Sequence, residues 1–446
     1  IMLPMSDSDS DSGAGAGAGV VDVDAVIDGA CVAAALPPGT PCDPTTLDLD
    51  TDLAGALDDG AGGAGEWRKG LSVLLQSAKR EARLTALGEL VVRGQVQQWL
   101  VSRIRLLHAW RQLPRGELQK QRIVRPILIT GLARTGTTFL ENLMAQDPRL
   151  RAPMHWELVE PIPDSGTPGD EAHLAAVQKK LDQYTALLPG FDEIHPMSST
   201  MAEECVVALA HEFDSLIFGA TYDVMDSYTT WMFGKQSHGR ALRWHRRVMQ
   251  YLQLTRNTEQ EPEARRWLLK TPMHLGILDD LRREYPDLAV VFTHRDPAEA
   301  IGSSASVHAR TYGVVTDELD LRRIGKQQQQ LAEHLLGRAE TSREGLVAGG
   351  VPIADVRLAD LKADPIAAVE TVYRRIGLDF TTEARRAMET WLVTRQVRHG
   401  GHRFALGDFG LDAEALVQSS GVLGRYCERH SLDGPGCGKG GLASTR

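Results

Sequence analysis

The stretch from Arg125 to Asp147 constrains the fold of this chain more than any other. It begins with the apolar run 126–129, whose length and β-branched content predict a buried strand. A loop with Gly131 and Gly136 follows, and then a short helical pattern. Glycines let backbone N–H groups approach a ligand, and the first turn of a helix has unpaired donors. The stretch therefore predicts a strand, a loop and a helix that together bind an anionic group.

The glycine loop almost matches the nucleotide-binding signature G-x4-G-K-[ST]. The lysine of that signature contacts the transferred phosphates, but its position here is Thr137, and the cation inside the loop is Arg134. ATPases and GTPases also need an acidic residue for magnesium, and the third apolar strand ends instead in Thr293-His294-Arg295-Asp296. We therefore expect an anionic donor that is bound without a metal.

The net charge of −10 arises from the N-terminal part of the chain. Residues 1–65 contain 12 aspartates and no lysine or arginine; removing these 12 from the 59 acidic residues leaves 47, against 49 basic ones. The remainder is nearly neutral and shows no basic face, so we expect no nucleic-acid partner. No apolar run reaches the ~18 residues that a membrane span requires.

The five cysteines are an odd number without the paired spacing of a zinc site: Cys31, Cys42, Cys205, Cys427 and Cys437. They predict neither a disulfide framework nor a metal site, and they favour a reducing cytoplasm. The N-terminus has no basic residue before an apolar segment, so we expect no secretory signal.

The order of patterns predicts one α/β domain with additions. Four apolar strands, at 126–129, 265–272, 288–293 and 352–358, alternate with helices. This pattern is typical of a three-layer α/β/α fold with a mostly parallel central sheet. The predicted segments are a disordered leader (1–65), N-terminal helices broken near Gly88 or Gly94 (66–120), the α/β domain (121–432) with a helical insertion (about 170–260), and a loose tail (433–446).

Two of these segments allow a further interpretation. Within the leader, the segments 20–32 and 47–57 are apolar enough to dock weakly. The insertion is rich in aromatic residues and methionine between positions 213 and 233. Such a cluster is typical of a core, and the insertion as a whole is also placed to form the wall of a substrate cavity.

Ligands of parallel sheets bind at the carboxyl ends of the strands. This rule brings Arg134, Lys270, Arg295 and the loop 398–403 around one crevice. The alternative interpretation of each cation is a surface side chain or a member of an ion pair, such as Arg295 with Asp296.

Four sequence pieces in this order resemble the sulfotransferases that use 3′-phosphoadenosine 5′-phosphosulfate (PAPS), and in particular their broad bacterial branch. The pieces are the loop from Arg134 to Thr138, the strand end Leu269-Lys270, Arg295 with Ser303 eight residues later, and RHGGHRF at 398–404. The resemblance covers roughly residues 122–415. One departure is the fourth strand region, VRLADL at 356–361, where the family often has an aromatic residue against the adenine.

The resemblance implies in-line transfer of a sulfuryl group from PAPS to a hydroxyl group, without a metal. Lys270 would stabilise charge on the bridging oxygen, with Arg134 on the transferred group. The residues implied for the donor are Arg134, Thr135, Gly136, Thr137 and Thr138 at the 5′-phosphosulfate, Arg295 and Ser303 at the 3′-phosphate, and Arg398, His402 and Arg403 in the closing loop.

The general base is left open between Glu157 and His274, with Glu157 preferred. Glu157 follows the loop helix, where carboxylate-using members have their base. His274 lies four residues after Lys270, whereas histidine-using members have theirs two residues after the lysine. The pair Glu203-Glu204 is interpreted as structural or as part of the acceptor pocket.

Three functions are compatible with these residues. The first is a sulfotransferase for a small-molecule or lipid-like alcohol, since the aromatic insertion favours a hydrophobic or amphipathic acceptor. The second is a kinase or NTPase-like nucleotide-binding protein with a degenerate loop, against which Thr137 counts. The third is a non-catalytic binding protein that keeps the fold.

Overall fold

The computed structural model describes residues 22–35, 65–164, 166–191, 195–256, 265–394 and 404–438. The predicted closing-loop residues Arg398, His402 and Arg403 lie outside this part, as do most of the leader and the end of the tail.

Five parallel strands form the central sheet, in the order β2-β3-β1-β4-β5. The strands are β1 (Ile127–Gly131), β2 (Leu150–Arg151), β3 (Arg266–Lys270), β4 (Ala289–His294) and β5 (Ile353–Arg357). Four of them confirm the predicted strands. β2, with two residues, is too short to give a periodic signal, and the sequence did not predict it.

Helices surround the sheet. In chain order they are α1 (Val23–Ala33), α2 (Glu66–Glu81), α3 (Ala86–Gln112), α4 (Glu117–Lys120), α5 (Thr137–Met144), α6 (His155–Val159), α7 (Glu171–Ala186), α8 (Val206–Ala210), α9 (Ile217–Thr221), α10 (Thr230–Phe233), α11 (Gly239–Arg256), α12 (Leu278–Glu284), α13 (Pro297–Val315), α14 (Leu321–Ala348), α15 (Leu358–Ala363), α16 (Pro365–Arg375), α17 (Thr382–Thr394), α18 (Ala413–Ser419) and α19 (Gly421–His430). Shorter turns of other helical types are Met225–Thr229, Pro272–Gly276 and Leu406–Phe409.

Both faces of the sheet are buried, because successive strand side chains point to opposite sides. On β1, Ile127 and Ile129 pack into a core with α5, α16 and α17, whereas Leu128 packs into a second core with the helices of the other face. Val290 and Val291 of β4 divide between the two cores in the same way. The predicted three-layer α/β/α architecture is confirmed.

The leader is not disordered throughout. Residues Val23–Ala33 form α1, whose Ile27 is fully buried and which packs against α3. The prediction of a disordered leader is therefore wrong for this segment, because α1 is amphipathic and packs its apolar side on α3. It agrees with the interpretation that segment 20–32 docks.

The N-terminal helices break at a different place from the predicted one. α2 ends at Glu81 and α3 begins at Ala86, so Gly88 and Gly94 both lie inside α3. Gly88 is needed for close packing: a Cβ atom there would lie 2.1 Å from the carbonyl oxygen of Val315 at the end of α13. The glycine marks a helix contact and not a helix end.

The insertion is helical, as predicted, but more broken than the sequence suggests. Between residues 206 and 221 the chain forms two short helices, α8 and α9, with Phe213 between them at a φ of 51°. Phe213, Phe218, Tyr222 and Tyr228 are buried against one another and form core. The proline-flanked segment 153–161, which precedes the insertion, contains α6.

The prediction that no cysteines are paired is wrong. Cys427 in α19 and Cys437 form a disulfide across a separation of 10 residues. Spacing alone did not reveal it, because the turn after α19 brings the two residues together. The argument for a reducing compartment from cysteine use loses its basis. Within the described residues, no helix combines the length and the apolar character needed to cross a membrane.

Candidate active site

The glycine loop joins β1 to α5 at the carboxyl end of the sheet. Gly136 has a φ of 94° and precedes the first residue of α5. Only glycine adopts this conformation readily, and a Cβ atom would also lie 2.8 Å from the Leu358 side chain. Thr137 and Thr138 follow in the first turn and border a cavity, whereas the hydroxyl of Thr135 is buried and bonded to Leu132 O and Thr293 Oγ1, each at 2.6 Å. Thr135 therefore holds the loop in shape.

Arg134, Ser303 and Arg295 lie together, as the sequence predicts. Arg134 Nε donates to Ser303 Oγ at 3.2 Å, and Arg295 Nη1 donates to the carbonyl oxygen of Arg134 at 3.1 Å. Arg134 has a φ of 72°, a backbone conformation that residues other than glycine rarely adopt. Burial and the neighbouring charge of Arg295 lower the pKa of Arg134. Two guanidinium groups held this close are stabilised by an anion.

Lys270 lies at the end of β3 and is 1% exposed. Its Nζ is 2.8 Å from Glu204 Oε1, 3.3 Å from Glu141 Oε2 and 3.3 Å from Thr138 Oγ1. Burial alone would lower the pKa of Lys270, but the charges of Glu141 and Glu204 outweigh it and raise the pKa. Lys270 is thus held as a cation beside the first turn of α5.

Glu141 is a buried carboxyl group beneath this lysine. It is fully buried in α5, one turn after Thr138. Burial raises the pKa of Glu141 to about 8, although the charge of Lys270 acts in the opposite direction. Sequence reasoning missed this group, because a lone glutamate in a helix has no distinguishing pattern.

A cavity of about 420 Å³ opens beside the loop. Arg134, Thr137 and Thr138 border one end of it. Much of its wall is apolar and comes from the insertion, from the turn after β3 and from α13 and α14, including Phe191, Val206, Met225, Met273, Ile301 and Leu335. Two sets of polar side chains are part of the lining: His155, His195, Glu203 and Glu204 in one, and Ser304, His308 and Gln328 in the other. The cavity fits an amphipathic molecule.

The structure does not bring the two predicted base residues to this cavity. Glu157 is buried in α6, where Oε1 accepts from Arg151 at 2.8 Å and Oε2 accepts from the Met154 N–H at 2.9 Å. His274 is fully buried in the turn after β3, and burial with the nearby His245 holds its pKa well below the ordinary value. Neither residue lines the cavity, although Glu203 and Glu204 do.

A carboxylate–imidazole pair borders the cavity near Lys270. His155 Nδ1 and Glu203 Oε2 are 2.5 Å apart, and Glu203 Oε1 accepts from the Glu204 N–H at 2.8 Å. Burial would raise the pKa of Glu203, but the hydrogen bond and charge of His155 lower it to about 2. The two residues are 48 positions apart, so no local signal connects them.

The segment after α19 contacts the loop that contains Arg295. Asp296 Oδ2 accepts from the N–H groups of Gly436 and Cys437 at 2.9 and 2.8 Å, while its Oδ1 accepts from the Glu299 N–H at 3.0 Å and caps α13. We call the disulfide Cys427–Cys437 with the intervening residues the C-terminal hairpin. It holds the start of the helix that contains Ser303.

One group of possible metal ligands lies apart from the cavity. His294, Asp355 and His430 have ligand atoms within 4.8 Å of one another. Both Asp355 oxygens are bonded to Arg343, at 2.9 and 2.7 Å, and the two imidazole rings are stacked with centroids 3.7 Å apart. This carboxylate is already paired with a cation, so we assign no metal to the group.

The chain is similar to known proteins both in sequence and in structure. The profile of a sulfotransferase family matches residues 126–382. The crystal structure of the sulfotransferase STF1 from Mycobacterium tuberculosis is similar with a TM-score of 0.69 and 29% identity, covering 92% of this chain and 99% of that one. Sulfotransferase STF9 from Mycobacterium avium has the same fold, with a TM-score of 0.74 and 22% identity over 93% and 97% of the two chains. No curated protein sequence matches significantly.

Proposed function

Because the chain belongs to the sulfotransferase family, we propose that it transfers the sulfuryl group of PAPS to the hydroxyl group of a small amphipathic or lipid-like alcohol, without a metal. The observation that carries this proposal is the arrangement of three cations around the glycine loop, which borders one end of an apolar cavity. Arg134 and Arg295 are joined through the loop backbone, and Lys270 reaches Thr138 in the same loop.

Two sets of residues are suited to the two negatively charged ends of PAPS. The N–H groups of the first turn of α5 and the hydroxyls of Thr137 and Thr138 are suited to the 5′-phosphosulfate, since a helix N-terminus stabilises an anion. Arg295 and Ser303 are suited to the 3′-phosphate. An anion there also offsets the burial and the repulsion from Arg295 that together lower the pKa of Arg134.

Lys270 acts on the charge that develops in the transition state. As the bond between sulfur and the bridging oxygen breaks, negative charge collects on that oxygen. A buried ammonium group stabilises it more strongly than it stabilises the ground state. Glu204 keeps Lys270 protonated and holds its Nζ in place.

The acceptor occupies the cavity. Its apolar wall favours a molecule with a hydrocarbon body, and its two sets of polar side chains favour one with more than a single oxygen. Gln328 is 3% exposed, and its Nε2 lacks a hydrogen-bond partner among the described residues. This donor is available to an oxygen of the acceptor.

Two measurements test the proposal. The bisphosphate product, 3′-phosphoadenosine 5′-phosphate, should raise the melting temperature in the presence of a chelator, whereas ATP with magnesium should not. Purified protein should also transfer labelled sulfate from PAPS to members of a panel of hydroxylated lipids and polycyclic alcohols. The absence of both signals, or a shift only with ATP and magnesium, contradicts the proposal.

A pair of variants connects the activity to this site. Lys270→Met should abolish transfer. The matched control is Lys235→Met, which also removes a mostly buried lysine in an ion pair, with Asp214 at 2.8 Å, but lies outside the cavity lining. Equal loss of transfer in both variants would show that unfolding, not the role of Lys270, explains the result.

A further inference from the structure

We propose that His155 is the general base that removes the proton from the acceptor hydroxyl, and that Glu203 is the residue that positions it. This inference rests on the proposed function and names a catalytic pair for that reaction. It replaces the two base residues that the sequence favours.

The pair lies where the acceptor and the donor meet. His155 and Glu203 line the same cavity as Thr137 and Thr138 of the phosphosulfate loop. Glu204, the residue after Glu203, contacts Lys270 Nζ at 2.8 Å, and the next N–H, that of Cys205, donates to the carbonyl oxygen of Lys270 at 2.9 Å. The imidazole therefore belongs to the same corner of the cavity as the lysine.

The backbone holds both members of the pair rigidly. The N–H of His155 donates to Met201 O at 2.8 Å, and the N–H of Glu203 donates to Pro153 O at 2.8 Å. Met154 and Ala202 form an antiparallel bridge between these bonds. A base must stay within hydrogen-bond distance of the proton that it removes. The two backbone hydrogen bonds fix the positions of His155 and Glu203 to this accuracy.

The contact with Glu203 selects the useful tautomer of His155. A carboxylate at Nδ1 holds the proton on that nitrogen and leaves Nε2 as an acceptor. Across the described parts of the chain, Nε2 has no hydrogen-bond partner. Glu203 remains ionised above its depressed pKa, so it also stabilises the imidazolium that forms. The aspartate of a Ser-His-Asp triad orients its histidine in the same way. Here the group that loses its proton is the hydroxyl of the acceptor.

Other candidates in this region are engaged elsewhere. Both oxygens of Glu157 are bonded, to Arg151 and to Met154 N, and Glu157 does not line the cavity. Glu204 is bonded to Lys270 and at 3.1 Å to Thr271 Oγ1, which makes it a poor acceptor for a further proton. His274 is buried away from the cavity.

The step balances as follows. The acceptor O–H transfers its proton to Nε2 of His155 while the acceptor oxygen forms a bond to sulfur. The bond between sulfur and the bridging oxygen of PAPS breaks, and its electrons remain on the oxygen of 3′-phosphoadenosine 5′-phosphate. The sulfate ester leaves, and the imidazolium releases its proton to water.

The decisive variant is His155→Asn, whose amide can still donate to Glu203. We expect kcat to fall about 10²–10⁴-fold, the usual contribution of a general base. The melting-temperature shift with 3′-phosphoadenosine 5′-phosphate should stay within the scatter of wild type. His334→Asn, a partly exposed histidine on α14 outside the cavity lining, is the matched control.

The pH profile of kcat/KM distinguishes an imidazole from a carboxylate. The acid limb of the wild-type profile should be lost in His155→Asn, which has no imidazole to take up the proton, and kept in Glu157→Gln. Glu203→Gln should lower kcat and move the limb to lower pH, because a positive imidazolium loses its neighbouring charge. The other titratable groups that line this cavity are Arg134, Glu160, Lys180, Tyr184, His195, Glu204 and His308, with Lys270 bonded to Glu204.

Each outcome decides between the hypotheses. A limb that persists in His155→Asn, or that disappears instead in Glu157→Gln or His195→Asn, overturns the assignment of the base. If wild type neither binds the bisphosphate nor transfers sulfate, the proposed function itself fails, and the variants are not needed to show it. If His155→Asn does not fold, Glu203→Gln still tests the pair through the position of the limb.

Discussion

Replacing Glu141 by glutamine removes a carboxyl group that the fold buries completely beneath the candidate catalytic lysine. Its Oε2 is 3.3 Å from Lys270 Nζ, and burial raises its pKa from 4.5 to about 8. Glutamine keeps the shape of the side chain but cannot ionise. The comparison of the two proteins therefore isolates the titration of this one group.

The sign of the effect follows from proton binding. Between pH 4.5 and 8 the folded protein keeps the proton of Glu141, whereas the unfolded chain has lost it, so stability falls as the pH rises through this window. At about 1.4 kcal/mol per pH unit, the change from pH 5 to pH 8 amounts to ~4 kcal/mol.

The assay is urea unfolding of wild type and Glu141→Gln at pH 5, 6.5 and 8. We expect the stability of the variant relative to wild type to rise by several kcal/mol across this range. Glu370→Gln is the control, since Glu370 is a half-exposed carboxylate paired with Arg385, and such pairs contribute ~1 kcal/mol or less. A constant difference between Glu141→Gln and wild type would refute a carboxyl group that stays protonated in the fold.

Three further changes test the donor site. Gly136→Ala forces a side chain into a positive φ and should cost ~1–3 kcal/mol of unfolding free energy and weaken bisphosphate binding, measured by melting and by titration calorimetry; unchanged binding would contradict the role of the loop. Ser303→Ala removes the partner of Arg134 Nε and should raise the KM for PAPS about 3–10-fold while leaving binding of a donor without the 3′-phosphate unaffected; an equal effect on both donors would show a structural role only. Reducing the disulfide of the C-terminal hairpin should weaken bisphosphate binding several-fold, because the hairpin donates two N–H groups to Asp296; identical affinities with and without a dithiol would exclude that connection.

The parts of the fold that the sequence predicts correctly depend on residues that are close together in the chain. β1, β3, β4 and β5 are apolar runs in which neighbouring residues pack on opposite sides of the sheet, and each run can be recognised without its partners. Gly136 marks a positive φ that other residues resist. Because the strands are parallel, their carboxyl ends meet at one edge of the sheet. The positions of Lys270 and Arg295 in the chain therefore predict that both lie near the loop that contains Arg134.

Contacts that form only in the folded chain account for most of what the sequence did not predict. β2 has two residues and exists only because it pairs with β3. Glu157 keeps the place in the chain that favours it as a base, but Arg151 and the backbone occupy its oxygens.

Residue order thus encodes the sheet, the glycine loop and the cations that lie beside this loop, because each depends on the local conformation of a few neighbouring residues. The pairing of His155 with Glu203 and the contact of the C-terminal hairpin with Asp296 depend on chain segments separated by 48 and 140 or 141 residues. Side-chain direction and loop path settle such contacts, and both are determined only once the whole core is packed.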